Sequence, residues 1–308
     1  MQALLATADL EGSAGLRQLA GITASWYFGA NKSGLPAYDP ATGRTVDGIE
    51  GDRRVNQNGG AESTIHGLLS MIALDANPDV AAIARTATIS ERIGSTTVQA
   101  EGAVLAGSAE VVTPASTWTG ESQYGGTGYV GLGDGGSATI AIPSGSSRLV
   151  LPVVDLQPGS TAVTTFRSGS RILGVVRSGD IGAQSVSSAP GALLPETLEV
   201  TLPGGATSIT ATTTASNGDT ARLDALMIEP LVSRYVLGDG DGDSDGQGDS
   251  GTAVLRSASL RTTVVVPGSG TARVHVYNGA GTLVAQSSSS AGTVPVEVRA
   301  GGFTIVRR

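Results

Sequence analysis

The stretch that decides the fold runs from about residue 98 to 230, and three segments mark it: Val98–Ala103 (VQAEGA), Trp118–Val130 (WTGESQYGGTGYV) and Ala221–Ile228 (ARLDALMI). Between these segments lie short β-branched runs that glycine, serine and proline separate. Short strands at roughly 8–12-residue spacing, with turn residues between them, are typical of an all-β sandwich rather than of alternating helices and strands. The sequence therefore predicts a β-sandwich over this part of the chain.

The same segments, taken in order, resemble the calcium-containing jelly-roll carbohydrate-binding modules of families 35 and 6. The resemblance lies in the Ala-Glu pair of the first segment, in Gly126–Gly133 (GTGYVGLG) and in the Arg-Leu-Asp-Ala-Leu-Met-Ile run of the last. It implies a two-sheet sandwich with a structural calcium ion and a sugar site in the loops at one edge. By the same resemblance, Gln99, Glu101 and Asp224 are the metal ligands, and oxygen ligands suit this hard cation.

Aromatic residues cluster near the middle of this stretch, although they make up only 4% of the chain. Trp118 and Tyr124 are predicted to form a stacking platform, because flat apolar rings match the C–H face of a pyranose. Tyr129 is expected to be a strand core residue. Asn217, before the last strand, stands where the resembling modules often place a sugar contact, and an Asn-Gly turn explains it equally well.

Composition narrows the possible partners. The 308 residues are enough for two or three domains, and the formal net charge of −8 argues against binding nucleic acid through its phosphates. No apolar run reaches 18 residues, so no membrane span is expected, and no cysteine is present for a disulfide or a thiolate site. A neutral glycan is the better-fitting partner, and we expect a monomer.

The first residues, Met1–Asp9 (MQALLATAD), lack the basic start and the apolar core of a signal peptide. We nevertheless expect an extracellular protein whose true amino terminus lies upstream of this sequence. This expectation rests on the carbohydrate-binding resemblance.

Residues 1–88 are predicted to form a helical segment. Leu16, Leu19, Trp26 and Tyr27 follow helical spacing, as does the Ile65–Ile72 segment, and Asn77 followed by Pro78 is typical of a helix start. A long polar loop, 29–60, separates the first two of these helices, and such loops are usually functional or disordered. The apolar faces of these helices are too large to be buried against each other alone.

This segment resembles the end of an (α/α)6 barrel of the six-hairpin glycosidases. The resemblance is carried by Trp26–Asn31 (WYFGAN), Tyr38–Gly43 (YDPATG), Asp47–Ile49 (DGI) and Asn56–Thr64 (NQNGGAEST). In cellulase-like members an inner-helix glutamate after such a loop can be the general acid, so Glu62 would inherit that role. The alternative without a catalytic role is that Glu62 lies in the first turn of a helix, where the helix dipole stabilises a carboxylate.

Glycoside hydrolysis needs a second carboxylate, and Asp39 and Asp47 are the acidic candidates near Glu62. Nothing in the sequence places either one at a catalytic distance. A zinc site from Glu62 and His66 would lack its third protein ligand.

Two further regions complete the chain. The acidic loop 238–251 (GDGDGDSDGQGDSG) matches half of an EF-hand loop but has Thr252 at the last ligand position, so it is predicted to be a solvated, mobile loop that binds calcium weakly. Alternating runs after it predict a small accessory β-domain over residues 234–308, resembling the immunoglobulin-like appendages of secreted bacterial enzymes.

The sequence thus predicts a mainly β multidomain protein: a jelly-roll β-sandwich at 96–233, an α-helical segment at 1–88 and a small C-terminal β-sandwich. The expected function is binding of a polysaccharide or oligosaccharide, as the C-terminal part of a secreted bacterial glycoside hydrolase. An active hydrolase segment using Glu62 and a structural or adhesive surface protein are the alternatives.

Overall fold

The computed structural model describes residues 1–50, 53–120, 122–182, 184, 186, 188–238, 251–257 and 260–308. Most of the acidic loop predicted at 238–251 lies outside the described residues. The helices are α1 (Gln2–Glu11), α2 (Ala14–Ala24), α3 (Ala61–Asp75) and α4 (Pro78–Thr86). The strands are β1 (Tyr38–Asp39), β2 (Arg44–Thr45), β3 (Gly48–Ile49), β4 (Val55–Asn56), β5 (Thr88–Ile93), β6 (Thr96–Gln99), β7 (Val104–Ala106), β8 (Ala109–Val112), β9 (Tyr129–Leu132), β10 (Ser137–Ala141), β11 (Arg148–Leu156), β12 (Val163–Ser168), β13 (Arg171–Arg177), β14 (Ala192–Pro195), β15 (Ser208–Thr214), β16 (Ala221–Pro230), β17 (Ser233–Gly238), β18 (Thr252–Arg256), β19 (Thr262–Pro267), β20 (Ala272–Tyr277), β21 (Leu283–Ser289), β22 (Thr293–Val298) and β23 (Phe303–Arg307).

Contacts divide the chain into two compact units. The first, Gly94–Leu231, differs by two residues at each end from the sandwich expected at 96–233. The second joins Met1–Ile93 to Val232–Arg308, and so groups the helical segment with the C-terminal strands in one body. We call these two bodies the sandwich unit and the helix-sheet unit. The prediction of a mainly β multidomain protein with an N-terminal helical segment is confirmed.

The sandwich unit consists of two antiparallel sheets. One has the strand order β13-β12-β15-β10-β7, and the other has the order β14-β11-β16-β9-β8 with β6 also pairing β16. Alternate side chains of these strands point inward, as Ala138 and Ile140 of β10 show, because successive residues of a strand face opposite sides of its sheet. The shared core includes the fully buried Phe166, Ile209 and Leu226.

The last long strand of this unit, β16, organises the site described below. Its Ala225 pairs with Gln99 of β6, its Leu223 pairs with Val130 of β9, and the same Leu223 pairs with Val154 of β11. The first and last strands of the sandwich unit, β6 and β16, therefore lie side by side. This pairing places Asp224 directly before Ala225, the residue that pairs with Gln99.

The helix-sheet unit contains a six-stranded antiparallel sheet of order β21-β20-β23-β18-β17-β5 and a separate pair, β19-β22. Ala8 of α1 and Leu16 of α2 pack on this sheet against Tyr277, Phe303 and Ile305. The rings of Tyr277 and Phe303 stack with centroids 4.7 Å apart. Burial of the helical apolar faces thus depends on strands from the other end of the chain.

The sequence features that predicted helices α3 and α4 agree only in part with the structure. Helix α4 begins at Pro78 as predicted, but the Asn77 side chain does not cap it. The Asn77 amide oxygen instead accepts a hydrogen bond from Arg17 at 2.7 Å. The predicted apolar face of α3 is uncovered, because its four members are all exposed: Ile65, Leu68, Leu69 and Ile72.

No single helix among the described residues is long and apolar enough to cross a membrane. Helices α3 and α4 taken together reach the length and apolar composition of a membrane span, but they are bent by 118° at their junction. This match concerns length and composition only.

Candidate functional site

A short hairpin presents Trp118 at the surface of the sandwich unit. Trp118 forms an antiparallel bridge with Gln123, and the Tyr124 N–H donates to the Thr117 carbonyl at 2.9 Å. The Trp118 N–H donates to the Ser116 hydroxyl at 3.1 Å. These bonds hold the backbone while the indole remains 60% exposed, which is unusual for the largest apolar side chain.

Beside this hairpin the sandwich unit has a cleft of about 300 Å³. Its described lining combines aromatic, charged and small residues: Pro114, Ser116, Trp118, Thr119, Tyr124, Tyr129, Asp155, Gln157, Ala189, Pro190 and Arg222. We call it the Trp118 cleft. Both predicted platform residues, Trp118 and Tyr124, therefore line one cavity.

The floor of the Trp118 cleft is a hydrogen-bonded network around Asp155, whose side chain is only 3% exposed. The Tyr124 hydroxyl donates to Asp155 Oδ2 at 2.5 Å, and Arg222 Nη1 donates to the same oxygen at 3.0 Å. Gln157 Nε2 donates to Asp155 Oδ1 at 2.8 Å. A buried carboxylate needs such partners, because a buried charge without hydrogen bonds or an ion pair strongly destabilises the folded state.

This network shifts the ionisation of its members. Burial raises the pKa of Tyr124 well above its usual value, and the hydrogen bond to Asp155 raises it further, so the phenol stays protonated. Burial acts to lower the pKa of Arg222, but the hydrogen bonds to Asp155 and Tyr124 outweigh it and the net pKa is raised. Tyr124 and Arg222 therefore both keep their protons across the physiological pH range.

The two tyrosines of the cleft have different environments. The Tyr124 ring is buried, with 6% exposure, while Tyr129 is half-buried. Their centroids are 4.6 Å apart with the planes tilted by 38°, and the Arg222 guanidinium lies 5.8 Å over the Tyr129 ring. Tyr129 is the first residue of β9, as expected of a strand residue, but it is only half-buried and lines the Trp118 cleft.

The residues predicted to hold a metal meet at Gly125 and Gly126, directly after Tyr124. The Gly125 N–H donates to Asp224 Oδ1 at 2.8 Å, and a Cβ at Gly126 would lie 2.8 Å from Glu101 Oε1. A Cβ at Gly125 would lie 2.8 Å from Gln99 Oε1. Only glycine leaves room for three oxygen-bearing side chains to approach this backbone so closely.

The electrostatics of this cluster are unfavourable for two bare carboxylates. Desolvation raises the pKa of Asp224 to about 6; the hydrogen bond from Gly125 opposes the rise, and the nearby charge of Glu101 adds to it. Glu101 Oε1 accepts from Thr127 N–H and Gly128 N–H at 3.2 Å each, whereas its buried Oε2 has no hydrogen-bond partner among the described residues. Among those residues, no group of three or more His, Cys, Asp or Glu side chains is arranged to hold a metal ion.

Asn217 lies in the turn between β15 and β16, with a positive φ of 58°. The turn is the Asn-Gly turn that the sequence offered as an alternative, since Gly218 follows at φ 78°. Asn217 is exposed and is not one of the described residues that line the Trp118 cleft.

Glu62 is exposed in the first turn of α3, one helical turn before the exposed His66. The other two acidic candidates have local structural partners. Thr42 Oγ1 and the Ala41 N–H donate to the Asp39 carboxylate at 2.7 and 2.9 Å.

The Asp47 carboxylate likewise accepts from the Gly60 N–H at 2.7 Å, directly ahead of α3. The hydrogen bond from Thr42 holds the pKa of Asp39 below its usual value, and the one from Gly60 does the same for the pKa of Asp47. The structure thus gives both carboxylates roles in local turns.

Three residues of the cleft, Asp155, Gln157 and Arg222, were not singled out from the sequence. A usable signal was present, because Asp155 is a lone carboxylate in the apolar run Leu149–Leu156. A charge in a buried strand requires a partner, and that requirement points to a neighbouring strand.

Comparisons with known proteins give no family model that matches the chain and no curated protein that matches its sequence. The structural neighbours include a carbohydrate-binding module of Cellvibrio mixtus lichenase 5A in complex with cellotriose, at 21% identity and a TM-score of 0.30, covering 44% of this chain and 96% of the module. They also include Paenibacillus xanthan lyase, at 11% identity and a TM-score of 0.33, covering 71% of this chain and 26% of the lyase. A third is the tandem CBM22-1–CBM22-2 domain of Paenibacillus barcinonensis Xyn10C, at 11% identity and a TM-score of 0.26, covering 72% and 92%.

Proposed function

We propose that the sandwich unit is a carbohydrate-binding module that takes a polysaccharide or oligosaccharide into the Trp118 cleft. The observation that carries this proposal is the juxtaposition of one large exposed ring with a fixed polar floor. Trp118 is 60% exposed at a cleft whose base carries Asp155, Gln157 and Arg222.

Each part of the cleft matches one property of a sugar. The indole offers an apolar face to the C–H side of a pyranose, and tryptophan is well suited to contacts with one dry and one wet side. The Gln157 amide and the Arg222 guanidinium supply donors for hydroxyl groups, while Asp155 has accepting lone pairs left over after its three bonds. Because Arg222 is neutralised by Asp155, the floor has no net charge, which fits a neutral glycan best.

The binding is expected to be weak. A 300 Å³ cleft at the small end of ligand sites, with one exposed ring, buries little apolar area, and ordering a flexible sugar offsets part of the gain. We expect a dissociation constant near 10⁻⁴ M, about −5.5 kcal/mol.

The test uses the fact that the chain has only two tryptophans, Trp26 and Trp118. In a Trp26→Phe variant the fluorescence of Trp118 alone reports on the cleft, and titration with soluble glycans chosen from an array should shift it saturably. Trp118→Ala should abolish binding in calorimetry and leave the thermal midpoint nearly unchanged. The matched control is Ile172→Ala, an exposed apolar residue of the same unit that should leave binding intact.

A large loss of stability in Trp118→Ala, with residual binding in the folded fraction, would show that the ring is a packing residue. An array without any hit would favour the structural or adhesive alternative.

We also propose that Gln99, Glu101 and Asp224 hold a structural calcium ion. The residues fit this group on two observations. A buried Glu101 oxygen has no hydrogen-bond partner among the described residues, and Asp224 is buried beside Glu101, so that desolvation, with a smaller contribution from the Glu101 charge, raises its pKa to about 6. A divalent cation would supply the missing partner and favour the ionised form of both carboxylates. Because Gly125 follows Tyr124 directly, the bound ion would hold the backbone that carries the cleft wall.

We infer further that the chain works outside the cell, as a monomeric sugar-binding part of a glycoside hydrolase. The support is the resemblance of the sandwich to secreted binding modules and of residues 26–64 to six-hairpin glycosidases. Light scattering coupled to gel filtration tests the monomer, and export of the natural protein into the culture medium tests the location.

A further inference from the structure

One cavity of the helix-sheet unit has no role in the function proposed above. Its volume is about 720 Å³, well inside the range of small-molecule sites. The residues around it come from helices, the 29–60 loop and three strands: Met1, Ile22, Thr23, Trp26, Tyr27, Ala30, Asn31, Lys32, Ile49, Ser70, Arg92, Tyr235 and Val254. We call it the Trp26 cavity.

Three aromatic rings line the Trp26 cavity, and local contacts hold them in place. Trp26 and Tyr27 meet edge to face with centroids 5.4 Å apart and planes at 86°. The Tyr27 hydroxyl lies 3.3 Å from the buried Ser70 hydroxyl, and the Tyr235 hydroxyl donates a long bond of 3.4 Å to the Ala30 carbonyl. The cavity therefore offers half-buried rings that are already ordered, which lowers the entropic cost of stacking a ligand on them.

The loop that carries Lys32 is shaped by Asn31, which is buried. The Asn31 amide donates to the carbonyls of Trp26 and Leu35 at 2.9 and 2.7 Å, and its oxygen accepts from the Ser33 N–H at 2.9 Å. These bonds fold residues 26–35 into a compact turn. Lys32 is thereby positioned at the cavity with its side chain exposed to solvent.

A second cation reaches the cavity from the sheet. Arg92 of β5 pairs directly with Tyr235 of β17, so both side chains leave the same face of the sheet. The neighbouring Glu91 points to the opposite face, where it forms an ion pair with Arg234 at 3.2 Å. Strand alternation thus separates Arg92 from the nearest acidic side chain on its own strand.

The described lining of the cavity is positively charged as a result. It contains Lys32 and Arg92, and none of its described residues is aspartate or glutamate. This is a marked local excess in a chain whose formal net charge is −8. Two cations at an aromatic cavity whose described lining has no carboxylate repel a cationic ligand and give an anionic one a gain that a neutral ligand lacks.

We propose that the Trp26 cavity binds a carbohydrate that carries a carboxylate, such as a uronic acid residue of an acidic oligosaccharide. A pyranose ring would stack against Trp26 and Tyr27, and its carboxylate would lie between Lys32 and Arg92. This site is independent of the Trp118 cleft, since all its lining residues belong to the other compact unit.

The test compares trigalacturonate with galactotriose, two trisaccharides that differ in their carboxylates. Calorimetry is performed on the Trp118→Ala chain, so that the Trp118 cleft does not contribute. In about 20 mM salt we expect trigalacturonate to bind at least about tenfold more tightly than galactotriose, and the difference to shrink at about 0.5 M salt because screening weakens exposed charges. Lys32→Gln and Arg92→Gln should each weaken trigalacturonate binding by roughly three- to tenfold without lowering the thermal midpoint, since both side chains are exposed.

Lys32 is the only lysine of the chain, which provides a second readout. Reductive methylation with ¹³C-formaldehyde keeps its charge and labels a single side-chain site, apart from the terminal amine. Trigalacturonate should shift the Lys32 dimethylamine signal saturably, and Arg92→Gln should weaken that titration. Arg171→Gln, an exposed arginine of the sandwich unit, is the matched control and should change nothing.

The proposal is overturned if galactotriose binds as tightly as trigalacturonate at low salt, or if the double variant Lys32→Gln/Arg92→Gln retains full affinity. It is equally overturned if trigalacturonate binds the unsubstituted chain but not Trp118→Ala, because binding would then belong to the sandwich unit. A failure of the Trp118 cleft to bind any glycan would leave this result unaffected.

Discussion

Replacing Asp224 by asparagine separates the cost of its charge from its value as a metal ligand. In the metal-free protein the pKa of Asp224 is about 6, against an ordinary value of 3.8, because of desolvation and the charge of Glu101. Asparagine has the same shape and its amide oxygen can still accept from the Gly125 N–H. The substitution therefore removes the charge while keeping the hydrogen bond.

The sign of the effect follows from proton binding. Between pH 3.8 and 6 the folded state keeps the Asp224 proton that the unfolded chain has lost, so the free energy of unfolding falls as pH rises through this window. Above pH 6 the loss is constant at about 3 kcal/mol, from about 1.36 kcal/mol per pKa unit. Since a neutral amide accepts a weaker hydrogen bond, we expect Asp224→Asn to stabilise the metal-free sandwich unit by about 1–3 kcal/mol at pH 8 and by almost nothing at pH 4.

In calcium at pH 8, the unsubstituted protein should instead be more stable than Asp224→Asn. At a free concentration about 100 times its dissociation constant, a ligand that binds only the folded state stabilises it by about 2.7 kcal/mol. The unsubstituted protein should gain this at pH 8 and little at pH 5, where Asp224 is protonated. Asp224→Asn should gain little at either pH, because it lacks one of the two carboxylate ligands.

The assay is urea unfolding at pH 4, 5 and 8, in chelator and in millimolar calcium, with the exposed Glu199→Gln as a matched control that should follow the unsubstituted chain. If Asp224→Asn is less stable than the unsubstituted protein in chelator at pH 8, the electrostatic account of the cluster is refuted. If calcium stabilises both proteins equally, the ion does not bind at Asp224.

Three further outcomes are expected. Arg222→Met should destabilise the sandwich unit by about 3 kcal/mol in urea unfolding, because Asp155 would remain buried without its cation; a loss below about 1 kcal/mol would contradict the network described for the cleft floor. Gln99→Glu should tighten calcium binding in calorimetry by adding a third carboxylate, and should lower stability in chelator at pH 8 for the same reason; tighter binding without that loss would place the ion elsewhere. Glycan hydrolysis assays on this chain should detect no turnover, since Asp39 and Asp47, the two candidate partners of Glu62, are both held in local turns; turnover that Glu62→Gln abolishes would support the hydrolase alternative.

The sequence predicted those parts of the fold that depend on local pattern. Alternating runs after the acidic loop predicted short strands in the C-terminal region, where the structure has β18 to β23, with β20 at Ala272–Tyr277. Alternation marks such strands because one face of each is buried while the other meets solvent. Pro78 marked the start of α4 for an equally local reason, since its ring fixes φ and its missing N–H is not needed in a first helical turn.

Pairings between distant segments had no comparable signal. Strands β5 and β17 join the end of the helical segment to the C-terminal sheet, and neither was predicted. In β5 the run TISERI alternates weakly, and its partner lies on the far side of the whole sandwich unit in sequence. Such a pairing is chosen by the free energy of the assembled sheet, which no short window of sequence contains.

The candidate sites divide in the same way. The sequence by itself predicted a β-sandwich with Trp118 in a glycine-rich stretch, and its resemblance to a family of binding modules pointed to Gln99, Glu101 and Asp224. Only the tertiary structure decided that Asp155 and Arg222 form the floor beneath Trp118, and that Lys32 and Arg92 share a cavity with no described carboxylate in its lining. The physical reason is that local periodicity determines which face of a strand is buried, whereas electrostatic partners are set by which strands lie side by side after folding.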